Sequence, residues 1–253
     1  MTDKRKVLVL GALSAMAQAT ARRLAADGAH LVLAGRDAAR LEAAAADLRA
    51  RGAGKVETYA ANLAAVDDPF EVTARMADRI GGLDAVLIFY GVLGDEAHSS
   101  RDIVELRRQL RVNFDSPIEW AAAAAVRLES SSHADPVIVA IGSVAGDRGR
   151  ASNKTYGAAK AGLGIYMQGL AHKGGDKAKR LRAVTIKPGF TDTPMTDGLP
   201  KGGPLWSSAD RVAVDIAAAV KGGPAIRYSP WFWRFVMLII RLLPQPIMDK
   251  LKL

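Results

Sequence analysis

Apolar and polar positions follow two different periods along this chain. Short runs of consecutive apolar residues recur: KVLVL at 6–10, HLVLAG at 30–35, KVETYA at 55–60, DAVLIFYG at 84–91, PVIVAIG at 136–142 and RAVTIKPG at 182–189. Amphipathic or alanine-rich stretches of helical period lie between them. In the first of these, SAMAQATARRLAADG, Met16, Ala19 and Leu24 share a face, and Asp27-Gly28 marks the end. Strands apolar on both faces and joined by helices predict a parallel sheet covered on both sides. The expected architecture is a doubly wound α/β fold of strand order 3-2-1-4-5-6, with a seventh edge strand near Ile226 to Tyr228. The clusters AAAAAD and AAAAAV read as closely packed helices. With 253 residues, no repeat and no long linker, one domain with a full core is expected.

Composition narrows the chemistry. There is no cysteine, which excludes disulfides, thiolate catalysis and soft metal sites. His30, His98, His133 and His172 show no ligand spacing and read as loop or strand-end residues, so no metal is expected. Net charge is +9, but the basic residues are scattered. The densest stretch is KGGDKAKRLR at 173–182. No aromatic residues interleave with them, so a solvated surface is expected and nucleic acid is not. MTDKRKVLVLG runs straight into the first strand without a signal peptide, which suits a cytoplasmic protein.

Three residues carry a specific chemistry. Ser143 ends the apolar run PVIVAIGS, and Tyr156 and Lys160 form a Tyr-x-x-x-Lys step in YGAAKAGLGIY. Residues four apart on a helix share a face, so the ammonium of Lys160 is expected to favour ionised Tyr156 and lower its pKa. A phenol tuned in this way exchanges a proton with an alcohol or ketone near neutral pH, and a serine hydroxyl can bond the same oxygen. The set suits carbonyl reduction or alcohol oxidation if another group carries the hydride. The first strand, Gly11 and the following helix N-terminus form a turn that accepts a dinucleotide pyrophosphate, although any first strand-to-helix turn of an α/β protein looks similar. The second strand ends in Gly35 where an NAD site has an acidic residue, and Arg36 follows, which favours NADP.

In order along the chain, LGALSAMA, AGR, ANL at 61–63, FYG at 89–91, Asn113, IGS at 141–143, the YGAAK step and KPGFTDT at 187–193 resemble the short-chain dehydrogenase/reductase family over about residues 5 to 230. The resemblance implies a Rossmann-type NADP-binding catalytic domain over 1–230, with 231–253 as a C-terminal helix and tail of the same domain. It implies that Tyr156 is the general acid in reduction, that Lys160 lowers its pKa and bonds the nicotinamide ribose, and that Ser143 orients the carbonyl. It also makes Asn113 the holder of a water that links Lys160 to solvent. Gly11, Ser14 and Met16 would line the pyrophosphate turn, Arg36 the 2′-phosphate, and Asn62 and Leu63 the adenine. Gly91 would let the backbone approach the cofactor, and Pro188, Gly189, Phe190 and Thr193 would wrap the nicotinamide. The family implies dimers or tetramers through the Asn113 and Tyr156 helices. The family's second and third glycines are Ala15 and Ala17 here, where positive φ is no longer free. GVLGDE, SVAGDRGRASNKTYGAAKAGL and SPWFWRFVMLIIRLLPQPI further resemble decaprenylphosphoryl keto-erythro-pentose reductases, which reduce a keto-sugar on a polyprenyl phosphate.

Several alternatives stay open. The substrate is a ketone or alcohol, either a lipid-linked keto-sugar or a smaller apolar ketone, and a membrane-associated dinucleotide-binding protein with little turnover is a third reading. Arg148 and Arg150, between Ser143 and Tyr156, are candidates for an anionic substrate group or simple loop charges. WFWRFVMLIIRLL at 231–243 is too short to span a bilayer. Its Arg234 and Arg241 share a helical face amid apolar residues, with Lys250 and Lys252 beyond. It can dock peripherally on the inner membrane face, join a second subunit or cover the substrate cleft. The loops 192–208 and 93–100 are expected to shape specificity, the first as a lid.

Overall fold

The computed structural model describes residues 4–172 and 180–251. The stretch 173–179 of the basic run, and Lys252, lie outside the described residues. Strands β1 (Lys6–Leu10), β2 (His30–Gly35) and β3 (Val56–Ala60) alternate with helices α1 (Ala15–Ala26) and α2 (Ala38–Ala50). Helix α3 (Pro69–Arg79) leads to β4 (Ala85–Ile88). Three helices follow: α4 (Glu96–Ser99), α5 (Ile103–Leu110) and, after one π turn over Arg111–Asp115, α6 (Ser116–Glu129). The chain continues with β5 (Val137–Ile141), α7 (Lys154–Ala171), β6 (Arg182–Pro188), β7 (Phe190–Asp192), β8 (Trp206–Ser208), α8 (Ala209–Lys221), β9 (Ile226–Ser229) and α9 (Trp233–Leu242).

The main sheet has the order β3-β2-β1-β4-β5-β6-β9, and every pair in it is parallel. It is the expected Rossmann-type α/β order with the seventh edge strand present. The period of two explains the layers. Val7 and Val9 face the core shared with α1, α2 and α8, whereas Leu8 and Leu10 face the core under α3, α6 and α7. The same split divides Ala85 and Leu87 from Val86 and Ile88, and Val137, Val139 and Ile141 from Ile138 and Ala140. Helix starts follow side-chain caps: Ser14 accepts from Ala17 N, Asp37 from Arg40 N, and Asp68 from Phe70 N and Glu71 N with Pro69 behind it.

Register brings the functional loops to one edge. Leu10 pairs with both Ala34 and Ile88, Ile88 with Ala140, and Ile141 with Ile186. The loops after β1, β4, β5 and β6 therefore meet at the carboxyl ends of the strands. The strand order reverses between β1 and β4, which is where open parallel sheets bind ligands.

Two features extend the sequence reading. The lid region contains a small second sheet, β7 paired with β8, and Lys201 bonds Asp192 and Asp197 at 2.6 Å each. His98 lies on α4 and meets Asp102 at 3.0 Å, so it is a helix residue and not a loop one.

Candidate active site

The first turn is built for close approach. Gly11 has φ +79°, and a β-carbon on it would stand 2.8 Å from Tyr90 N. Only glycine fits both the left-handed backbone and the contact. Helix α1 begins at Ala15 with Ser14 as its N-cap, and Ala17 is fully buried against the core. Among the described residues, no residue other than glycine has positive φ, so Ala15 and Ala17 take ordinary helical backbone and the altered motif carries no strain there. Met16 is partly buried beside the same core.

Strand β5 delivers Ser143, and α7 delivers Tyr156 and Lys160. Ser143 caps the short 3₁₀ turn Val144–Asp147, its Oγ accepting from Ala145 N at 3.1 Å, and it is hydrogen-bonded to the Tyr156 phenol. Lys160 is 5% exposed, and its Nζ donates to Ile141 O at 2.9 Å. That nitrogen lies 5.8 Å from the Tyr156 ring centroid. Burial lowers the Lys160 pKa to about 8. Burial raises the Tyr156 pKa, opposed by the Ser143 hydrogen bond. The lowering of Tyr156 by Lys160 expected from sequence is thus corrected: the ammonium is turned to a strand carbonyl, and desolvation dominates at the phenol. The consequence is a phenol that holds its proton at neutral pH.

The start of α7 is set from outside the helix. Asn153 makes no side-chain cap. Instead Glu96 Oε2 accepts from Thr155 N at 2.8 Å and Oε1 from Thr155 Oγ1 at 3.3 Å, while Lys154 Nζ lies 3.2 Å from Oε1. A carboxylate at a helix N-terminus also meets the positive end of the helix dipole. Burial raises the Glu96 pKa, but the hydrogen bonds from Thr155, Lys154 and Ser100 outweigh it and hold the carboxyl below its usual range. Asn113 sits fully buried in the π turn, a rare element concentrated at functional sites. Its amide is engaged at both ends: Nδ2 donates to Val92 O at 2.9 Å, and Oδ1 accepts from Val92 N at 3.0 Å. The side chain therefore pins the Gly91-Val92 backbone.

The other cofactor candidates fall on the same edge. Arg36 is exposed beyond β2. Asn62 Oδ1 accepts from Ala64 N at 3.3 Å, making it a turn cap. The Leu63 side chain is buried in the core, and its carbonyl accepts from Ser116 Oγ at 2.8 Å and Trp120 Nε1 at 2.9 Å. It can present only its backbone N–H side to an adenine. Pro188 ends β6, Gly189 turns the chain and Phe190 opens β7, and Thr193 begins the 3₁₀ turn Pro194–Thr196.

Helix α9 lies over this turn. Trp233 is 3% exposed and packs with Met237 against Val144, next to Ser143. Phe190 stacks on Trp206 at 5.4 Å and meets Trp233 edge-on at 5.8 Å. The inner face of the C-terminal segment thus packs on Val144, beside Ser143, and on the turn after β6. Arg148 and Arg150 do not stand as free loop charges. Arg148 donates to Leu243 O at 3.4 Å and Gln245 Oε1 at 3.1 Å, and Arg150 reaches Met237 Sδ at 3.7 Å.

Sequence reading gave no site role to Glu96, Asp147, Lys187 and Tyr228, and it took Trp233 only as part of the segment 231–243. Lys187 alone left a visible signal, a charge between Ile186 and Pro188 in an otherwise apolar strand.

A family model described as short chain dehydrogenase matches residues 5–202. An uncharacterized oxidoreductase of Mycobacterium tuberculosis is 32% identical over 249 residues, covering 96% of each chain. A short chain dehydrogenase from Burkholderia cenocepacia, solved with NADP, is 28% identical with a TM-score of 0.75, covering 89% of this chain and 96% of that one. A 3-oxoacyl-[acyl-carrier protein] reductase from Brucella melitensis, solved with NAD, is 25% identical with a TM-score of 0.77, covering 90% and 96%.

Proposed function

Since the chain belongs to the short-chain dehydrogenase family and is an oxidoreductase of that type, we propose that it reduces a ketone to a secondary alcohol with NADPH. The observation that carries the direction is the partly buried Ser143–Tyr156 pair beside buried Lys160. A phenol whose pKa is raised by burial carries at neutral pH the proton that ketone reduction consumes.

NADPH would supply the hydride to the carbonyl carbon. The tight Gly11 turn and the α1 N-terminus behind its Ser14 cap fit a dinucleotide pyrophosphate, and exposed Arg36 beside Gly35 fits a 2′-phosphate. Ser143 Oγ and the Tyr156 phenol hold the ketone oxygen, and Tyr156 donates its proton as the oxygen gains charge. Lys160 Nζ, fixed by Ile141 O, stays beside the phenol and favours its ionised form as the proton leaves. Asn113, by pinning Val92, keeps the strand-end backbone beside Lys160.

The finer reading is a keto-sugar on a polyprenyl phosphate. It rests on the likeness of residues 92–96 and 143–163 and of the aromatic C-terminus to keto-pentose reductases, and on the aromatic cleft wall of Phe190, Trp206 and Trp233, which suits a prenyl chain. The same wall also suits a smaller apolar ketone. In this reading residues 1–230 form the catalytic domain and 231–253 its closing flap. The outer face of the flap supports peripheral contact with an anionic membrane. Trp231, Phe235, Leu238, Ile239 and Leu242 are exposed along one stripe, and residues 216–248 contain no acidic side chain. No helix among the described residues is long and apolar enough to cross a membrane. A second copy would pair through the outer faces of α6 and α7, where Val126 and Ile165 are exposed.

The test is NADPH consumption in detergent micelles with a polyprenyl-phosphate keto-pentose, set against trans-1-decalone. Turnover of the first alone supports the lipid-linked substrate, turnover of the second alone assigns a small ketone, and turnover of neither sinks the reductase reading. Because Trp233 and Met237 are buried, membrane contact is better tested by Phe235→Glu/Ile239→Glu than by truncation. Loss of sedimentation with phosphatidylglycerol vesicles is expected, and unchanged sedimentation contradicts the docking.

A further inference from the structure

Four residues after Ser143, the 3₁₀ turn ends at Asp147. Its carboxylate, whose side chain is 2% exposed, forms an ion pair with Lys187 Nζ and accepts from Tyr228 OH at 2.6 Å. The ammonium also lies 5.6 Å from the Tyr228 ring centroid. Three segments meet here: the turn that begins at Ser143, strand β6 two residues before Gly189, and edge strand β9. Tyr228 packs in the cluster that seats α9.

A buried ion pair is weak evidence for stability, because desolvation offsets most of the attraction. Its geometry here has a consequence for position instead. The residue before Asp147 is Gly146, and a β-carbon there would stand 2.8 Å from Ala161 N and 2.9 Å from the Lys160 carbonyl carbon. The turn is thus pressed onto the backbone of the catalytic helix.

We propose that Asp147 and Lys187 are positioning residues whose pair clamps the Ser143 turn to the strand entering the Gly189 turn, keeping the substrate-holding hydroxyl in register with the hydride donor. The proposal rests on the reductase reading for its kinetic effect. Tyr228 supplies the third leg of the clamp through its hydroxyl. The effect of a misplaced group is on rate more than on binding, since about 1 Å of displacement costs about a hundredfold.

The test uses the full chain and the double variant Asp147→Asn/Lys187→Met, which removes both charges together and avoids a stranded one. With trans-1-decalone and NADPH, kcat is expected to fall about 30- to 100-fold while the ketone KM changes less than about threefold and Tm stays within about 3 °C of the parent. Amide hydrogen exchange is expected to rise in residues 143–147 and 187–190 and to stay unchanged in α1. Tyr228→Phe should give a smaller change of the same kind. Unchanged kcat, or a loss of kcat that tracks a collapse in Tm with exchange rising throughout the sheet, overturns the proposal. If the parent turns over no ketone, the reductase reading fails, and the exchange pattern still decides whether the clamp exists.

Discussion

The indole of Trp233 lies directly on Gly189: a β-carbon built on that glycine would stand 1.8 Å from Trp233 Nε1. The C-terminal helix is therefore seated on the turn that the nicotinamide reading assigns to the cofactor. Trp233 Nε1 has no hydrogen-bond partner, so the ring contributes by packing alone. Trp233→Ala should cost about 3–5 kcal/mol in urea unfolding, and Trp233→Phe less than about 1.5 kcal/mol. An equal cost for both would mean that the indole N–H matters and would contradict the packing account.

Glu96 caps the helix that bears the catalytic pair, so Glu96→Gln should weaken the fold and the reaction together. A loss of about 1–2 kcal/mol is expected from the charge-assisted hydrogen bonds to Thr155. Because its pKa is depressed in the fold, its stabilising contribution is present above the unfolded value of 4.5 and is lost as pH falls through the folded one. Acid unfolding of the variant, compared with the parent, should lack that component.

Lys160 titrates in the range where activity is assayed. With its pKa lowered to about 8 by burial, it is charged below that pH and neutral above it. Reduction that needs the ammonium should therefore decline as pH rises through about 8, and Lys160→Arg should move that decline upward by more than one pH unit. The stability term has the opposite sign. Between about 8 and 10.5 the unfolded chain binds the extra proton, so this group makes the fold gain stability as pH rises there. A flat rate profile from pH 7 to 10 would contradict the assignment.

Arg36 should set the choice between the two dinucleotides. Arg36→Ala removes a charge-assisted contact and is expected to weaken NADPH about 10- to 100-fold while leaving NADH unchanged. Fluorescence titration of both cofactors checks this, and equal weakening of both would contradict the 2′-phosphate role.

The strands and the shared face of Tyr156 and Lys160 were legible because local rules fix them, and the strand order followed from the βα alternation and the right-handed crossovers it requires. Runs such as VIVAI are apolar on both faces, and four residues of helix put Tyr156 and Lys160 on one side. What was not legible depends on contacts far apart in sequence. Glu96 reaches Thr155 across 59 positions and Asp147 reaches Tyr228 across 81, so neither leaves a periodic trace. The expected lowering of the Tyr156 pKa gave way to a rise for a related reason. Spacing places an ammonium near a phenol, but burial and the Ile141 carbonyl decide which group it serves. Likewise the ANL motif does not show that the Leu63 side chain turns into the core and leaves only its backbone N–H toward an adenine.

The most direct test of the account is NADPH oxidation by Tyr156→Phe beside the parent, with cofactor affinity measured on both. The account predicts a fall in kcat of at least about a hundredfold with NADPH affinity within about threefold, because the variant loses only the proton donor. Undiminished turnover in Tyr156→Phe would contradict the claim that this phenol protonates the reduced ketone.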